Sequence, residues 1–226
     1  KPDAVEAAPG AGLPAPASGP SPRFLVLDGQ RHESPVAGYW TRLAKRLPLD
    51  ITVTGAAQMA GAIGELAAEV SRRMEAEDEA SGPIFLVLHN LARFRDLRKS
   101  DDYSFSLDDE APAKPSEQFS TVLREGPNYG IHSLIWCDSF TNVNRWIDRP
   151  AMHDLAFRVL FQMSGGDSAN LMDTPEASRL GIHRAILYNE ERGDYEKLRP
   201  YGLPSDPWLD WVREQLQDSG YAVSAG

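Results

Sequence analysis

The stretch of residues 123–138, LREGPNYGIHSLIWCD, contains a helix end, a glycine turn and an apolar strand within one short span. Pro127 ends the helix because proline cannot continue it, and Gly130 marks the turn into the apolar run of residues 131–137. A helix that leads into a buried strand is the repeating unit of α/β folds with parallel sheets. We therefore predict such a fold, in which Asp138 follows a strand at the edge where these folds bind ligands.

Further stretches repeat this pattern along the chain. Continuous apolar runs bounded by polar residues predict buried strands, and apolar residues at helical spacing predict amphipathic helices. We predict a mostly parallel sheet with helices on both faces, whose central strands include residues 24–27, 85–88, 134–137 and 157–160. We also predict a short strand at residues 51–54, a closing hairpin at residues 184–188 and 195–199, and helices at residues 38–47, 56–74 and 208–216.

Composition limits the possible classes of protein. The 226 residues, of which 42% are hydrophobic, suffice for one sizeable core. A net charge of -10 argues against a surface that binds nucleic acid generally, although a ring protein can hold a basic loop inside an acidic body. A single cysteine excludes an internal disulfide, and no apolar run approaches the roughly 20 residues of a membrane span. We expect a soluble, cytoplasmic chain without a signal peptide, although a parent protein could carry a membrane anchor.

The chain divides into three parts. Residues 1–22 are mostly Ala, Pro, Gly and Ser, which predicts a linker or insertion because this composition has too little apolar bulk to become ordered. Residues 23–203 form the predicted core, and residues 204–226 form a C-terminal helix and tail. Within the core, the acidic residues 100–114 predict an exposed loop.

Polar residues follow two of the predicted strands. Asp28 ends the first, and His89 with Asn90 ends the strand at residues 84–88. His89 has two interpretations, a general base or a hydrogen-bonded structural residue. Cys137 likewise has two, a nucleophile or a buried inert thiol. The histidines lack metal-ligand spacing, so we predict no metal site among them.

A glycine-rich turn precedes a short predicted helix at residues 169–172. Its sequence is Gly165-Gly166-Asp167-Ser168. Backbone N–H groups of such a turn can hold a phosphate, but the same sequence is also typical of an ordinary helix N-cap. Both interpretations remain open.

Five segments together resemble the FtsK/SpoIIIE family of DNA-translocating ATPases, relatives of the HerA helicases with a RecA-like core. In chain order they read LVLDG, EVSRRM, FLVLHN, EGPNYGIHSLIWCD and LAFRVLFQMSGGDSANLMD. The likeness extends from about residue 23 to about residue 203, and it depends on the order and spacing of the segments. It implies a RecA-like P-loop NTPase core that works in a ring with other ATPase subunits or domains.

The resemblance also implies site residues. It assigns nucleotide-binding positions to Asp28, Asp167 and Ser168, and catalytic positions to His89 and Asn90, with Asp138 at the sensor position. The polar loop of residues 139–150 corresponds to a family region near the ring's lumen. Residues of this loop are therefore candidates for contacts with a DNA backbone, although basic residues on a loop are often only solvated: Asn142, Asn144, Arg145 and Arg149.

Two departures from the family pattern affect catalysis. The sequence contains no GxxxxGK[ST] phosphate loop, whose backbone N–H groups and lysine bind the β and γ phosphates. The Walker B strand ends in His89-Asn90 instead of Asp-Glu, so a poor magnesium ligand and an amide replace two carboxylates. The sensor segment is also altered, to Trp136-Cys137-Asp138. We therefore expect ATP and magnesium to bind only if an upstream Walker A segment completes the site.

Two functions remain after these departures. The first is a module of an FtsK/SpoIIIE-like ring motor for ATP-dependent DNA translocation, whose own nucleotide site is degenerate. The second is a catalytically inactive scaffold or regulatory domain with a protein client, comparable to the degenerate ATPase modules of type VII secretion motors. Whether the chain is an enzyme is open at this point.

Overall fold

The computed structural model describes residues 20–78, 80–99 and 113–221, and its first half is built on a four-stranded parallel sheet. The strand order is β2-β1-β3-β4. The continuous apolar runs of the sequence become these strands, because a parallel strand is usually buried on both faces. Their bounds are β1 (Arg23–Asp28), β2 (Asp50–Thr54), β3 (Ile84–His89) and β4 (Ile131–Trp136).

Helices cover one face of this sheet closely. The side chains of Ile84, Leu86 and Leu88 point to that face from β3 and join the main core with residues of two helices. Side chains alternate between the two faces of a strand, so residues 85, 87 and 89 of β3 lie on the opposite face. The two helices are α2 (Met59–Glu75) and α3 (Pro115–Glu125).

The opposite face carries α1 (Tyr39–Arg46), whose Trp40 contacts His89 of β3. Helices therefore lie on both faces of a parallel sheet, as predicted from the sequence. The chain ends in α7 (Asp206–Asp218), where Asp210 accepts two hydrogen bonds from Arg46 of α1, at 3.0 and 2.9 Å. No helix in the described ranges is both long and apolar enough to span a bilayer.

The strand at residues 157–160 exists, but its predicted place in the parallel sheet is wrong. As β5 (Phe157–Leu160) it pairs antiparallel with β6 (Ala185–Asn189), which pairs antiparallel with β7 (Asp194–Leu198). Its residues are exposed and buried in turn, which is the pattern of an antiparallel strand with one solvent face. A second, smaller core packs under this sheet, with residues from α6 (Gly165–Met172).

The predicted loop at residues 139–150 is also wrong, because the structure has two short helices there. They are α4 (Phe140–Trp146) and α5 (Arg149–Asp154). Ser139 and Asp148 are their N-caps, and each side chain accepts a hydrogen bond from a backbone N–H in the first turn. Most of the predicted linker and of the predicted acidic loop lies outside the described residues.

Arg73 of α2 is the main charged residue of the interior, with only 3% of its surface exposed. Its guanidinium donates to Glu69 at 2.8 Å, to the carbonyl of Tyr129 at 2.9 Å and to the carbonyl of Gly82 at 3.0 Å. These carbonyls lie just before β4 and β3. The buried arginine therefore connects α2 to the starts of two parallel strands. Hydrogen bonds from the neighbouring arginine and from Arg73 lower the pKa of the Glu69 carboxyl to about 2.

We expect Arg73→Ala to lower the free energy of unfolding by about 3 kcal/mol or more, since it leaves buried acceptors without a donor. Arg72→Ala is the matched control, because Arg72 also binds Glu69 but is exposed. Arg72→Ala should lower the free energy of unfolding much less, because an exposed ion pair contributes little. Urea unfolding monitored by circular dichroism measures both, and equal losses would contradict the role assigned to Arg73.

Candidate functional site

The carboxyl ends of three neighbouring strands place their last residues in one row. Asp28 of β1 is the register partner of His89 of β3, and His89 is the partner of Trp136 of β4. Parallel strands end at the same edge of a sheet, and this is the edge where α/β folds bind ligands. The structure therefore brings together two of the site residues predicted from the sequence, Asp28 and His89.

His89 lies at the centre of this row and is largely enclosed. Its Nδ1 lies 3.4 Å from Oδ1 of Asp28, at the long end of hydrogen-bond distance. The imidazole centroid is 5.2 Å from the ring of Trp136 and 6.0 Å from the ring of Trp40. The imidazole thus contacts two indole rings and one carboxylate.

Asn90 has a structural role beside His89. Its backbone is in the left-handed region, with φ at 68°, and its side-chain amide is 3.4 Å from the carbonyl of Gly29. The N–H of Gly29 in turn donates to the carbonyl of His89 at 2.9 Å. A Cβ at position 29 would lie 2.6 Å from that carbonyl oxygen, so only glycine fits. The loops after β1 and β3 are therefore held together.

Asp138 follows β4 and is the anion of a small hydrogen-bonded group. Its Oδ1 accepts from the amide of Asn142 at 2.7 Å and from the hydroxyl of Ser139 at 3.3 Å. The hydrogen bond from Asn142 is the main reason that the pKa of the Asp138 carboxyl lies below its usual value. Asp138 is therefore ionised at neutral pH, and its carboxylate is hydrogen-bonded by Asn142 and Ser139.

Cys137 lies next to this carboxylate and is partly buried. Burial is the largest cause of the raised pKa of its thiol, and the nearby charge of Asp138 adds to it. A raised pKa leaves less thiolate, which is the nucleophilic form. The environment of Cys137 is that of an inert thiol.

The glycine-rich turn has the structure of a capped helix. Ser164 is the N-cap of α6 and accepts from the N–H of Asp167 at 3.1 Å. Ser168 is fully buried, and its hydroxyl donates to the carbonyl of Thr174 at 2.6 Å and accepts from the N–H of Ala177 at 3.1 Å. No hydrogen bond among the described residues connects Asp167 or Ser168 to His89.

The predicted DNA-binding residues lie on the helices that follow β4. Asn144 and Arg145 are exposed on α4, and Arg149 is exposed at the start of α5. Neither arginine forms an ion pair within the part of the chain that the structure describes. Asn142 instead binds Asp138.

Magnesium would meet a poor set of ligands at this edge. The cation requires oxygen ligands, and the row of strand ends offers one carboxylate, Asp28, beside an imidazole and indole rings. Across the described ranges, no three His, Cys, Asp or Glu side chains are grouped so that they could hold a metal ion. The row of strand ends is therefore a partly buried polar and aromatic cluster that offers a single carboxylate, Asp28.

Sequence reasoning named Trp136 only as part of the altered sensor segment, and it placed neither Trp136 nor Trp40 against His89. Strand register alone would have placed Trp136 beside His89. Trp40 reaches the cluster from α1, which is almost 50 residues before His89 in the sequence. No local signal indicates that contact.

Solved structures show which fold this is. The chain is similar to Thermomonospora curvata EccC (ATPases 2 and 3) in complex with a signal sequence peptide, with a TM-score of 0.59 and 14% identity over 91% of this chain and 38% of that one. The cytoplasmic domain of the T. curvata type VII secretion ATPase EccC matches with a TM-score of 0.55 and 17% identity, over 89% of this chain and 24% of that one.

A third match is B204, the DNA-packaging ATPase from Sulfolobus Turreted Icosahedral Virus. Its TM-score is 0.52 at 9% identity, over 80% of this chain and 83% of that one. No family model and no curated protein matches the sequence. The likeness therefore shows the fold, that of RecA-like P-loop ATPases, and this chain spans well under half of the EccC chains.

We expect Asn142→Ala to raise the pKa of the Asp138 carboxyl toward its ordinary value, because the shortest hydrogen bond to the ionised form is lost. Asn144→Ala is the matched control, since Asn144 is an exposed amide on the same helix. An NMR pH titration of the carboxyl carbons measures both variants. An unchanged pKa in Asn142→Ala would contradict the cause assigned to the shift.

Proposed function

We propose that this chain is a module of an FtsK/SpoIIIE-like ring motor for ATP-dependent DNA translocation and that its own nucleotide site is degenerate. The observation that carries the proposal is the position of the partly buried His89. The sheet edge where this fold binds ligands holds an imidazole packed against Trp40 and Trp136. Hydrolysis in such a motor would therefore depend on other ATPase subunits or domains, and this module would supply structure and substrate contacts.

Phosphoryl transfer requires groups that this edge does not supply. The metal ion must bridge phosphate oxygens, and a carboxylate must position the attacking water. His89 cannot replace a hard oxygen ligand well, and the amide of Asn90 lies near the backbone carbonyl of Gly29. ATP and magnesium would bind only where a Walker A segment, supplied upstream, completes the site. A cytoplasmic location fits the single cysteine.

The second candidate is an inactive scaffold or regulatory domain with a protein client. The likeness to EccC supports it, because one of those structures contains a signal sequence peptide. The packing of His89 against two indole rings also suits a domain that folds without nucleotide. The two candidates differ in the expected substrate, which is DNA for the motor module and a polypeptide for the scaffold.

We expect isothermal titration of this chain with Mg-ATP to give no binding heat. The double change His89→Asp and Asn90→Glu should leave the titration flat, because restored carboxylates cannot replace the backbone N–H groups and lysine of a phosphate loop. Circular dichroism checks that the variant is folded. Turnover of ATP by the purified chain, free of contaminating ATPase, would refute the degenerate site.

We expect weak DNA binding that falls steeply with salt, since the exposed guanidinium groups of Arg145 and Arg149 would replace counterions on the phosphates. The double change to alanine at these positions should abolish a mobility shift at low salt. Changing Arg184 and Arg199 to alanine is the matched control, because these exposed residues lie just before β6 and just after β7 and have no ion pair in the described part of the chain. Equal loss in both variants would indicate general electrostatics and would favour the scaffold.

A further inference from the structure

A cavity of about 660 Å³ lies between α1 and α7, and none of the strand-end residues lines it. Its volume is typical of small-molecule sites, which occupy about 300–1,000 Å³. The lining is unusual for such a site, because among the described residues around the cavity none has a hydrophobic side chain and four are cationic. They are Gly38, Thr41, Arg42, Lys45, Arg46 and Arg213. An occupant of this cavity would therefore be recognised by its charge.

The cations of α1 lie on one face of the helix. Positions 38, 41, 42, 45 and 46 follow helical spacing, and Trp40 on another face contacts His89 of the sheet. A charged helix face is most often only solvated, but such a face usually mixes both signs. Residues 34–49 include no acidic residue, although the whole chain has 33 Asp and Glu against 23 Lys and Arg. The single sign of this face therefore concentrates positive potential along α1.

Carboxylates of α7 hold two of the cations in place. Oδ2 of Asp210 lies 2.9 Å from Arg46, and Oδ1 of the same carboxylate lies 3.1 Å from Arg213. Arg46 also lies 3.2 Å from Asp206. Asp210 thus links guanidinium groups from both walls of the cavity, which orders these donors before a ligand binds. Two carboxylates against four cations leave an excess of two positive charges at the lining.

Arg42 and Lys45 supply this excess charge. Neither forms an ion pair within residues 20–78, 80–99 and 113–221. The guanidinium carbon of Arg42 lies 5.6 Å from the centroid of the Tyr39 ring, a cation–π contact that orients the side chain without neutralising it. Thr41 adds a hydroxyl donor to the same lining. The cavity therefore combines a net positive charge with several hydrogen-bond donors.

A further segment of the protein would be a poor occupant of this cavity. Segments that pack onto a fold bury apolar side chains together, and the described lining offers no hydrophobic side chain for such packing. Covering four cationic side chains with polypeptide would also remove them from water, which costs free energy unless each finds a partner. A small and strongly charged ligand satisfies these donors while the charged groups stay in contact with water.

We propose that this cavity binds a compact anion with two or more phosphate groups. Guanidinium groups bind phosphate oxygens bidentately, and the lysine ammonium binds them as a point charge. Arg42 and Arg46 are four residues apart on one helix face, about 6 Å along the axis, so neighbouring phosphate groups can each contact a guanidinium. The described lining has no apolar surface for a nucleobase or an acyl chain, which selects a small phosphorylated molecule.

The test is isothermal titration of the chain with inorganic pyrophosphate at low salt, with EDTA to remove metal ions. The double change Arg42→Ala and Lys45→Ala should weaken binding by about tenfold or more, because it removes charge-assisted hydrogen bonds. The double change Arg184→Ala and Arg199→Ala is the matched control. It removes the same charge from exposed positions beside the other sheet, and it should retain binding.

NMR of the arginine side chains locates the site. The Nε–H signals of Arg42, Arg46 and Arg213 should shift as pyrophosphate is added, whereas those of Arg184 and Arg199 should not. Arg42→Lys keeps the charge but loses the planar fork. Its affinity for pyrophosphate should therefore lie between those of the unchanged chain and Arg42→Ala.

Three results would overturn the proposal. They are no binding heat at millimolar pyrophosphate, equal affinity in the two double variants, and shifts that are spread evenly over exposed arginines. Circular dichroism verifies that both double variants are folded, which is expected because the replaced side chains are exposed. The titration with Mg-ATP tests the strand ends separately, because magnesium already neutralises the phosphate oxygens of that ligand. Either proposal can therefore fail while the other holds.

Discussion

The buried guanidinium of Arg73 determines how the sheet of this protein is aligned. It binds a carboxylate of its own helix and the backbone carbonyls of Tyr129 and Gly82, just before β4 and β3. A buried charge is tolerated only when all its partners are in place. The two strands therefore start at fixed positions relative to α2. Since all strands of this sheet are parallel, fixing their starts also fixes the row of residues at their carboxyl ends.

The chemistry of that row follows from its geometry. Adjacent parallel strands lie about 4.8 Å apart, so the side chains of Asp28, His89 and Trp136 must either contact one another or exclude one another. An imidazole can contact both a carboxylate and an indole ring, and here it does. A second carboxylate at position 89 would instead have been repelled by Asp28 unless a cation lay between them. The imidazole of His89 beside Asp28 involves no such repulsion between two carboxylates.

Much of the fold was predictable because its strands are continuous apolar runs between amphipathic helices. Residues 157–160 show the limit, since an apolar run predicts a strand but does not say which strand will pair with it. The helices at residues 139–150 were missed although a signal was present: Asp148 precedes Arg149-Pro150, and an N-cap residue followed by an early proline is typical of a helix start. The contact between Trp40 and His89 joins distant parts of the sequence and had no local signal.

β4 shows a further limit of sequence reasoning, because among the described residues it is the last strand of the parallel sheet. IHSLIW reads as a buried strand, and the prediction of a central strand at residues 134–137 assumed neighbours on both sides. Apolar periodicity indicates which side chains a strand tends to bury, but it does not indicate which segments cover them. Leu134 and Trp136 of β4 are 55% and 47% exposed, and the ring of His89 lies against Trp136. The surroundings of His89 therefore depend on how Trp136 is covered, and the apolar pattern of β4 does not reveal this.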